Sequence, residues 1–271
     1  MTRLKRLFAT TIVRSWLLCG WVLVLLFLVS SAQASIRVSP LSSELDLGKT
    51  NSKIINVFNS ASDKSVAIKV SARAWRLDKE GNDIRKPTQD LLIFPEQFVL
   101  KALSRRSIRI ASPLTQAPGV EKNYRILVKE LPVDLTGTKK LQTGVTILTS
   151  YATAFYVKPT SAMSDLAFEK VSVDATKLYF TLNNRGNAHT HLNQVELVIK
   201  QNGQRFTIAQ PQKLNGIIKE NVLARSHRNF SLVWPESISR ALDFKAPMEL
   251  EMSLSCESCD KNSALLYASI D

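Results

Sequence analysis

Apolar and polar residues alternate with a period of two along most of the chain. Between positions 65 and 75 the apolar side chains occupy every second position, at Val66, Ile68, Val70, Ala72 and Ala74. Since successive side chains of a β-strand point to opposite faces, this spacing predicts a strand with one buried face. Comparable runs predict strands at residues 53–58, 65–75, 91–94, 97–100, 107–110, 124–131 and 145–157. Polar turns separate these runs, and this many short strands in about 120 residues is typical of an immunoglobulin-like sandwich.

The composition changes after residue 157. Val157-Lys158-Pro159 closes the last predicted strand, and small polar residues follow it. Strand-like runs then resume at residues 166–173, 177–183, 194–200, 205–209, 229–233, 248–254 and 264–269. No stretch of a dozen residues has the apolar spacing of an amphipathic helix. We therefore predict an all-β protein with two domains, residues 35–158 and 162–271.

The first 34 residues have the features of a secretory signal peptide. Basic residues without an acidic one precede an apolar run from Trp16 to Val29, and Ala32-Gln33-Ala34 offers a cleavage site. Because a membrane span needs about 20 apolar residues, this shorter run predicts cleavage after Ala34 rather than an anchor. The chain is therefore expected to be exported.

The signal segment contributes part of the positive net charge of the full chain. The full chain has 36 Lys and Arg against 23 Asp and Glu, a formal charge of +13, and loss of the four basic residues before position 35 leaves +9. The remaining positive residues are scattered, and no arginine-rich arm or RNA-binding aromatic motif accompanies them. Nucleic acid is therefore excluded as a partner of this exported chain.

Residues for catalytic chemistry are scarce. His189 and His191 would share one face of a strand, but no third metal ligand lies nearby in sequence, so we interpret them as polar side chains at a strand start. His227 has no partner visible in the sequence. The motifs of serine hydrolases, zinc proteases and phosphate-binding loops are missing. The sequence therefore predicts no enzyme, no metal and no cofactor.

Cys256 and Cys259 are the two cysteines outside the signal segment. Their C-x-x-C spacing also occurs in thiol oxidoreductases, where a helix N-terminus lowers the pKa of one thiol. Here a strand-like run precedes the pair, and an oxidising compartment favours a structural disulfide across a hairpin. A thiol oxidoreductase is the lesser alternative.

Several short motifs occur together in one order. They are Val38-Ser39-Pro40 and residues 72–77 (ARAWRL), 87–95 (PTQDLLIFP), 124–132 (YRILVKELP), 144–148 (GVTIL), 155–159 (FYVKP) and 184–189 (NRGNAH). Together they resemble the periplasmic pilus-assembly chaperones of the chaperone–usher pathway, the PapD-like superfamily. The T-x-D-L-L-x-x-P segment is most similar to the archaic branch, which includes Csu-type pili. The resemblance implies two immunoglobulin-like sandwich domains in an L- or boomerang-shaped arrangement.

The resemblance also implies a mechanism, the donation of a strand. A pilus subunit is similar to a sandwich without its last strand, and a chaperone strand fills the open groove. In this chain the corresponding strand is residues 141–155. The residues expected to bind the subunit are Leu141, Val145, Ile147, Thr149 and Tyr151. The opposite face, with Leu148, Ala152 and Ala154, is expected to pack in the chaperone's own core.

The family's usual anchor for the subunit's C-terminal carboxylate is missing. Family members have an Arg in the first strand and a Lys near the end of the donor strand, where this chain has Ser42 and Thr153. No basic residue occurs from position 141 to 157. Other cations could replace the pair, and the nearest in sequence are Arg37, Arg73, Arg125 and Lys129.

Two further explanations stay open. Ser42 and Thr153 could bind the carboxylate without charge, or the chain could have lost the usual mode of subunit binding. Arg125 is the preferred anchor, because it lies in the predicted strand 124–131, which immediately precedes the donor strand in the sequence.

The leading hypothesis is a non-enzymatic periplasmic chaperone that binds pilus subunits and delivers them to an outer-membrane usher. The alternative from another class is a secreted adhesion or structural module without a subunit client. An exposed donor strand also leaves room for a self-capping homodimer when no subunit is bound. The sequence identifies neither the subunit nor the pilus type.

Overall fold

The structure, a computed structural model, describes residues 36–133, 147–256, 258–259 and 263–270. The predicted signal segment, residues 1–34, lies outside this range. Within the described residues there is no helix with the length and hydropathy of a membrane span.

The first half of the described chain forms ten strands. They are β1 (Ile36–Ser39), β2 (Ser42–Asp46), β3 (Ser52–Asn59), β4 (Val66–Leu77), β5 (Asp83–Pro87), β6 (Leu92–Phe94), β7 (Gln97–Leu100), β8 (Arg105–Ala111), β9 (Lys122–Glu130) and β10 (Ser150–Lys158). One sheet has the order β1-β3-β8-β6, and the other has the order β2-β10-β9-β4-β5 with β7 also beside β4. Their inward side chains form one core, in which Ile108, Ile126 and Phe155 are fully buried.

The second half forms a similar arrangement. Its elements are β11 (Leu166–Val173), β12 (Lys177–Asn184), β13 (Thr190–His191), β14 (Asn193–Gln201), β15 (Gln204–Ile208), β16 (Asn221–Val222), β17 (Ser226–Val233), α1 (Glu236–Ser239), β18 (Met248–Ser255) and β19 (Ser263–Ile270). The two main sheets have the orders β11-β12-β17 and β15-β14-β18-β19, and β13 pairs with β16. A separate core lies between them, with Leu178, Leu182 and Leu250 fully buried. The predicted all-β class with two sandwiches is confirmed, and the predicted domain bounds stay predictions.

Most predicted strands are present, several of them a residue or two longer than the apolar pattern indicates. The pattern does not predict β1, β2, β5 or the two-residue strands β13 and β16. Strand β2 (SSELD) has a single apolar residue, and every residue of β5 (DIRKP) is exposed. Strand β10 begins at Ser150, later than the predicted start at 145, and positions 145–146 lie outside the described residues.

The two sandwiches contact each other through a small buried cluster. Trp75, Ala154 and Tyr156 of the first sandwich pack against Leu223 of the second. Beside them the Glu121 carboxylate accepts hydrogen bonds from His189 Nδ1, at 2.9 and 2.8 Å, and both side chains are almost inaccessible to solvent. The His189 ring stacks on Tyr156 with 3.7 Å between ring centroids. Burial, together with the nearby Glu121 charge, raises the pKa of the Tyr156 hydroxyl above its ordinary value.

Candidate functional site

Strand β10 has one open side over its first four residues. Strand β9 pairs with it from Ser150 to Val157, whereas β2 pairs with its other side only from Ala154 onward. The Ala154 N–H donates to the Leu41 carbonyl on the β2 side. Because backbone groups of a strand alternate in direction, those of Ser150 and Ala152 point to this same side, where the described chain supplies no strand. An extended chain can therefore add to the sheet here.

One row of side chains on β10 starts in the core and continues beyond the sandwich. Val157 and Phe155 are fully buried in the first core, and Tyr151 is partly buried against it. The Tyr151 hydroxyl donates to the Ile36 carbonyl at 2.8 Å. Ile147, three residues before the strand begins, is 78% exposed. Burial along this side of the chain therefore decreases from Val157 toward Ile147.

This arrangement corrects the predicted assignment of faces. Ala154 does not pack in the first core; it lies on the opposite face, in the cluster with Tyr156, Trp75 and Leu223. Register decides this, because Ala154 is opposite Arg125 of β9, whereas Thr153 is opposite the core residue Ile126. Tyr151 lies on the core-facing row of β10, and Ile147 and Thr149 precede the strand. Leu141 and Val145 lie outside the described residues, so their predicted role stays a prediction.

A cleft of about 350 Å³ lies between the sandwiches, beside the point where β2 meets β10. The first sandwich contributes Ser42, Trp75, Asp83, Arg125, Ala154 and Tyr156 to its walls. The second sandwich contributes His191, Lys219, Glu220, Asn221 and Arg228. Cations and hydrogen-bonding groups therefore converge at the end of the open edge of β10.

Arg125 is held in the cleft by two contacts. Its guanidinium carbon lies 3.6 Å from the centre of the Trp75 ring, and Nη2 donates to Asp83 Oδ1 at 3.2 Å. Partial burial raises the pKa of the Asp83 carboxyl, but hydrogen bonds from Arg85 and Arg125 outweigh this effect, and the pKa lies below its ordinary value. Asp83 is therefore a stable anionic partner that fixes the orientation of Arg125.

Arg228 approaches the same cleft from the second sandwich. Its side chain is 5% exposed and donates to Glu220 Oε2 at 2.9 Å and to the Asn221 carbonyl at 3.1 Å. The guanidinium packs on Gly81 of the β4–β5 turn, where a Cβ atom would overlap it and where φ is +92°. Glycine is needed at this position both for the turn and for the close approach of Arg228.

Several buried polar atoms at this cleft have no hydrogen-bond partner. Among the described residues four side-chain atoms are in this state, namely Asn123 Oδ1, Arg125 Nε, Asn221 Oδ1 and Arg228 Nε. Arg125, Asn221 and Arg228 all line the cleft. Because buried donors and acceptors are nearly always paired in folded proteins, these atoms distinguish the polar wall of the cleft from the apolar cores of the two sandwiches.

The predicted anchor residues lie in different places. Ser42 is opposite Ala154 in the β2–β10 pairing and lines the cleft together with Arg125. Thr153 is 2% exposed and points to the opposite face of the sheet. Arg37 lies in β1, paired with Phe58 in the other sheet. The structure therefore brings Ser42 and Arg125 together and leaves Thr153 and Arg37 apart from them.

Lys219 and Arg228 are cleft residues that sequence reasoning missed. Lys219 has a positive φ of 67°, is exposed, and forms no ion pair within the described part of the chain. Both residues are far from the donor strand in sequence, and only the contact between the sandwiches brings them to the cleft. The periodic pattern of the chain contains no signal for either.

His189 is a structural residue of the interface between the sandwiches. Its hydrogen bonds to Glu121 occupy the ring nitrogen Nδ1, and its ring lies 5.3 Å from that of His191. No group of three His, Cys, Asp or Glu side chains in the described residues is arranged to hold a metal ion. We therefore assign His189 a structural role in the contact between the two sandwiches.

Cys256 and Cys259 form a disulfide, as the sequence predicts. The pair directly follows β18, which pairs antiparallel with β19 along its whole length. The hydroxyl Oγ of Ser164 lies 3.0 Å from Cys256 Sγ and 3.1 Å from Cys259 Sγ, so the bond also contacts the segment between the sandwiches.

Comparisons with known proteins bear on the fold. No protein-family model and no curated protein matches the chain. The class 5 fimbriae chaperone CfaA superposes with a TM-score of 0.56 and 16% identity, over 86% of this chain and 98% of that one. A chain of the chaperone–tip adhesin complex of CFA/I fimbriae biogenesis gives a TM-score of 0.55 at 16% identity, over 86% and 98%.

An archaic system gives a similar result. A chain of the CsuC–CsuE chaperone–tip adhesion subunit pre-assembly complex, from the Csu pili of Acinetobacter baumannii, has a TM-score of 0.55 and 14% identity. The superposition covers 88% of this chain and 98% of that one. The protein therefore has the two-sandwich fold of these fimbrial chaperones, and the predicted resemblance, including that to the Csu type, is confirmed at the level of the fold.

Proposed function

We propose that the protein is a periplasmic chaperone that binds a pilus subunit by adding strand β10 to the subunit's incomplete sandwich. The observation that carries this proposal is the open side of β10 from Ser150 to Thr153, next to a cleft lined by Arg125 and Arg228. The shared fold supports it, since two of the similar structures are complexes of a chaperone with a tip subunit.

Strand donation uses both the backbone and the side chains of β10. The N–H and C=O groups of Ser150 and Ala152 offer hydrogen bonds to a strand of the subunit. The row formed by Tyr151, Thr149 and Ile147 continues the chaperone's core into the subunit's open groove, with Val145 and Leu141 extending it. Completing the groove also covers an edge that would otherwise aggregate.

The cleft then receives the end of the subunit chain. A terminal carboxylate accepts from the guanidinium groups of Arg125 and Arg228, which line the cleft, and from the Ser42 hydroxyl. Lys219 adds a positive charge at the mouth of the cleft. Charge-assisted bonds of this kind offset the cost of removing the carboxylate from water. Arg125 is the central residue of this anchor, and Thr153 and Arg37 have no part in it.

Export and delivery of the subunit are the remaining steps of the proposed chaperone role. Export to the periplasm is assigned to the signal segment, and the complex is delivered to an outer-membrane usher. The protein acts by binding alone and uses no catalytic step, metal or cofactor.

The test is co-purification with candidate subunits that lack a last strand, taken from genes next to that of this protein. The wild type should yield a soluble one-to-one complex. Ile147→Asp should abolish it, because a carboxylate cannot enter an apolar groove without a large desolvation cost. Val233→Asp is the matched control, since Val233 is 66% exposed on β17 of the second sandwich.

The result decides between a pilus-subunit chaperone and a secreted structural module. A complex lost with Ile147→Asp and kept with Val233→Asp supports strand donation. If the wild type captures none of the neighbouring subunits, or if Ile147→Asp captures them equally well, the proposal is wrong and a secreted structural module without a client is the better description.

A further inference from the structure

The sheet β1-β3-β8-β6 of the first sandwich carries charge of one sign only. Its four strands contain no Asp or Glu, and their basic residues are Arg37, Lys53, Arg105, Arg106 and Arg109. None of the five forms an ion pair within the described part of the chain. These residues are scattered in the sequence, and the pairing of the strands brings them together as uncompensated positive charge.

Three of the arginines project from the outer face of this sheet. Arg37 lies between two buried residues of β1, and Arg109 lies between two buried residues of β8. Arg105 is four positions before Arg109 and therefore shares its face, because side chains alternate along a strand. All three are exposed. Lys53 and Arg106 occupy the alternate positions and are not part of this face.

Apolar side chains lie between these arginines. Two rows of three residues cross the face from strand to strand: Arg37–Phe58–Arg105 and Ile54–Arg109–Phe94. Ile54 is 54% exposed and Phe94 is 76% exposed, and Leu92, on the same side of β6, is 60% exposed. Neighbouring strands are about 5 Å apart, so each arginine lies directly beside an apolar side chain. We call the two rows, together with Leu92, the basic face.

We propose that the basic face binds an anionic lipid surface. Charge complementarity requires an anionic partner for a face that has cations and no acidic residue. The arginines are spread over about 13 Å along the strands and about 10 Å across them, so they match an array of headgroups better than one bound anion. They would contact lipid phosphates, which attract basic residues at a membrane surface.

The exposed apolar residues favour lipid over a dissolved acidic polypeptide. At a membrane surface, apolar side chains enter the boundary between headgroups and acyl chains while neighbouring cations stay at the headgroups. Ile54, Phe94 and Leu92 lie among the arginines in the arrangement that this boundary accommodates. A dissolved acidic chain would neutralise the arginines, but it offers no apolar phase for these three side chains.

The basic face is separate from the surface that is proposed to bind a subunit. Strand β10 belongs to the other sheet of the first sandwich, and the basic face points away from that sheet. Arg125, the central residue of the proposed anchor, lies on β9 of that other sheet. Lipid binding therefore leaves β10 and the cleft accessible, and it does not depend on strand donation.

Flotation of the exported chain with lipid vesicles tests the proposal. The wild type should float with vesicles of equal parts phosphatidylcholine and phosphatidylglycerol but not with phosphatidylcholine alone, and added salt should weaken the binding. Arg109→Gln should weaken it about fivefold, the effect of one basic residue at an anionic surface, and Arg109→Glu should weaken it further. Phe94→Ser should weaken it without changing its dependence on salt.

Two variants serve as controls. Lys213→Glu makes the same change of charge as Arg109→Glu would make for a basic residue, at an exposed position of the second sandwich, and should bind vesicles as the wild type does. Ile147→Asp removes an exposed apolar residue outside the basic face and should also bind normally. Circular dichroism of each variant confirms that it is folded.

Four results would overturn the proposal. The first is a wild type that does not float with anionic vesicles. The second is an equal loss of binding in Arg109→Glu and Lys213→Glu, which would mean that only the net charge matters. The third is a loss in Ile147→Asp without one in Phe94→Ser, which would place the contact near β10. The last is binding of polyglutamate, abolished by Arg109→Glu, by a protein that ignores vesicles, which would identify the partner as an acidic polypeptide.

Discussion

Arg125 lies over the ring of Trp75, with its guanidinium carbon 3.6 Å from the ring centre. Asp83 holds the same guanidinium from the side and also accepts from the Trp75 indole N–H at 2.8 Å. The three side chains therefore fix one another, and the Nε–H of Arg125 is left buried and without a partner. A guanidinium held in one orientation in this way loses little entropy when a carboxylate binds it.

Arg125→Ala should weaken subunit capture by about ten- to a hundredfold, the value of a hydrogen bond to a charged group. Arg37→Ala is the matched control, because Arg37 lies on β1 in the other sheet, away from the cleft. Titration of each variant with the purified subunit measures the change. Equal affinities for Arg125→Ala and Arg37→Ala would remove Arg125 from the anchor.

His189→Ala should lower the free energy of unfolding by about 2–3 kcal/mol, because the buried Glu121 carboxylate loses the ring donor and keeps only the backbone N–H of residue 189. His227→Ala removes an exposed pair with Glu169 and should change stability by no more than about 0.5 kcal/mol. Urea unfolding followed by circular dichroism compares the two. Similar midpoints for the two variants would show that the His189–Glu121 contact does not hold the sandwiches together.

Asp174 should make stability depend on pH in the acid range. Hydrogen bonds from the Thr176 hydroxyl and backbone, and from the Lys177 N–H, lower the pKa of its carboxyl from 3.8 to about 2. Since the folded state has the lower pKa, the stabilisation is present above pH 3.8 and is lost as the pH falls toward 2.

The thermal midpoint of Asp174→Asn should therefore lie below that of the wild type at neutral pH, and the gap should close between pH 4 and 2. Asp63→Asn, at an exposed position without a hydrogen bond in the described chain, should show no such gap. A gap for Asp174→Asn that is constant with pH would mean that the carboxylate charge has no part in stabilising the turn.

Cys256→Ser with Cys259→Ser should reduce stability by about 2 kcal/mol or less, because the disulfide closes a very short loop. Subunit capture should be unchanged at temperatures where the variant is folded. Unfolding curves and co-purification measure the two effects separately. A variant that is stable but has lost its function in the cell would favour the thiol oxidoreductase alternative.

The sequence predicts the fold class better than it predicts the site. Alternation in residues 65–75 predicts β4 directly, because Ile68, Val70 and Ala72 are buried whereas Lys69 and Ser71 between them are not. The apolar pattern does not predict strand β2, because Leu45 is the only buried residue of this strand. Its partner β10 is parallel to it and distant in sequence, and the pattern of one strand does not identify such a partner.

The faces of β10 illustrate the same limit. Its residues from Thr153 to Val157 are all buried, since one face packs in the core and the other in the contact between sandwiches. Hydrophobic alternation cannot distinguish two buried faces. The position of Arg125 in the sequence, just before the donor strand, is enough to predict it as an anchor. Arg228 lies on β17 of the second sandwich, and only the packing of the two sandwiches brings it to the cleft.

Hydrogen exchange at the amide of Ala152 tests the central claim most directly. This N–H points to the open side of β10, whereas the N–H of Ala154 is already bonded to the Leu41 carbonyl. On binding a subunit, exchange at Ala152 should slow strongly, and exchange at Ala154 should stay slow in both states. A one-to-one complex in which Ala152 exchanges as fast as in the free protein would contradict strand donation by β10.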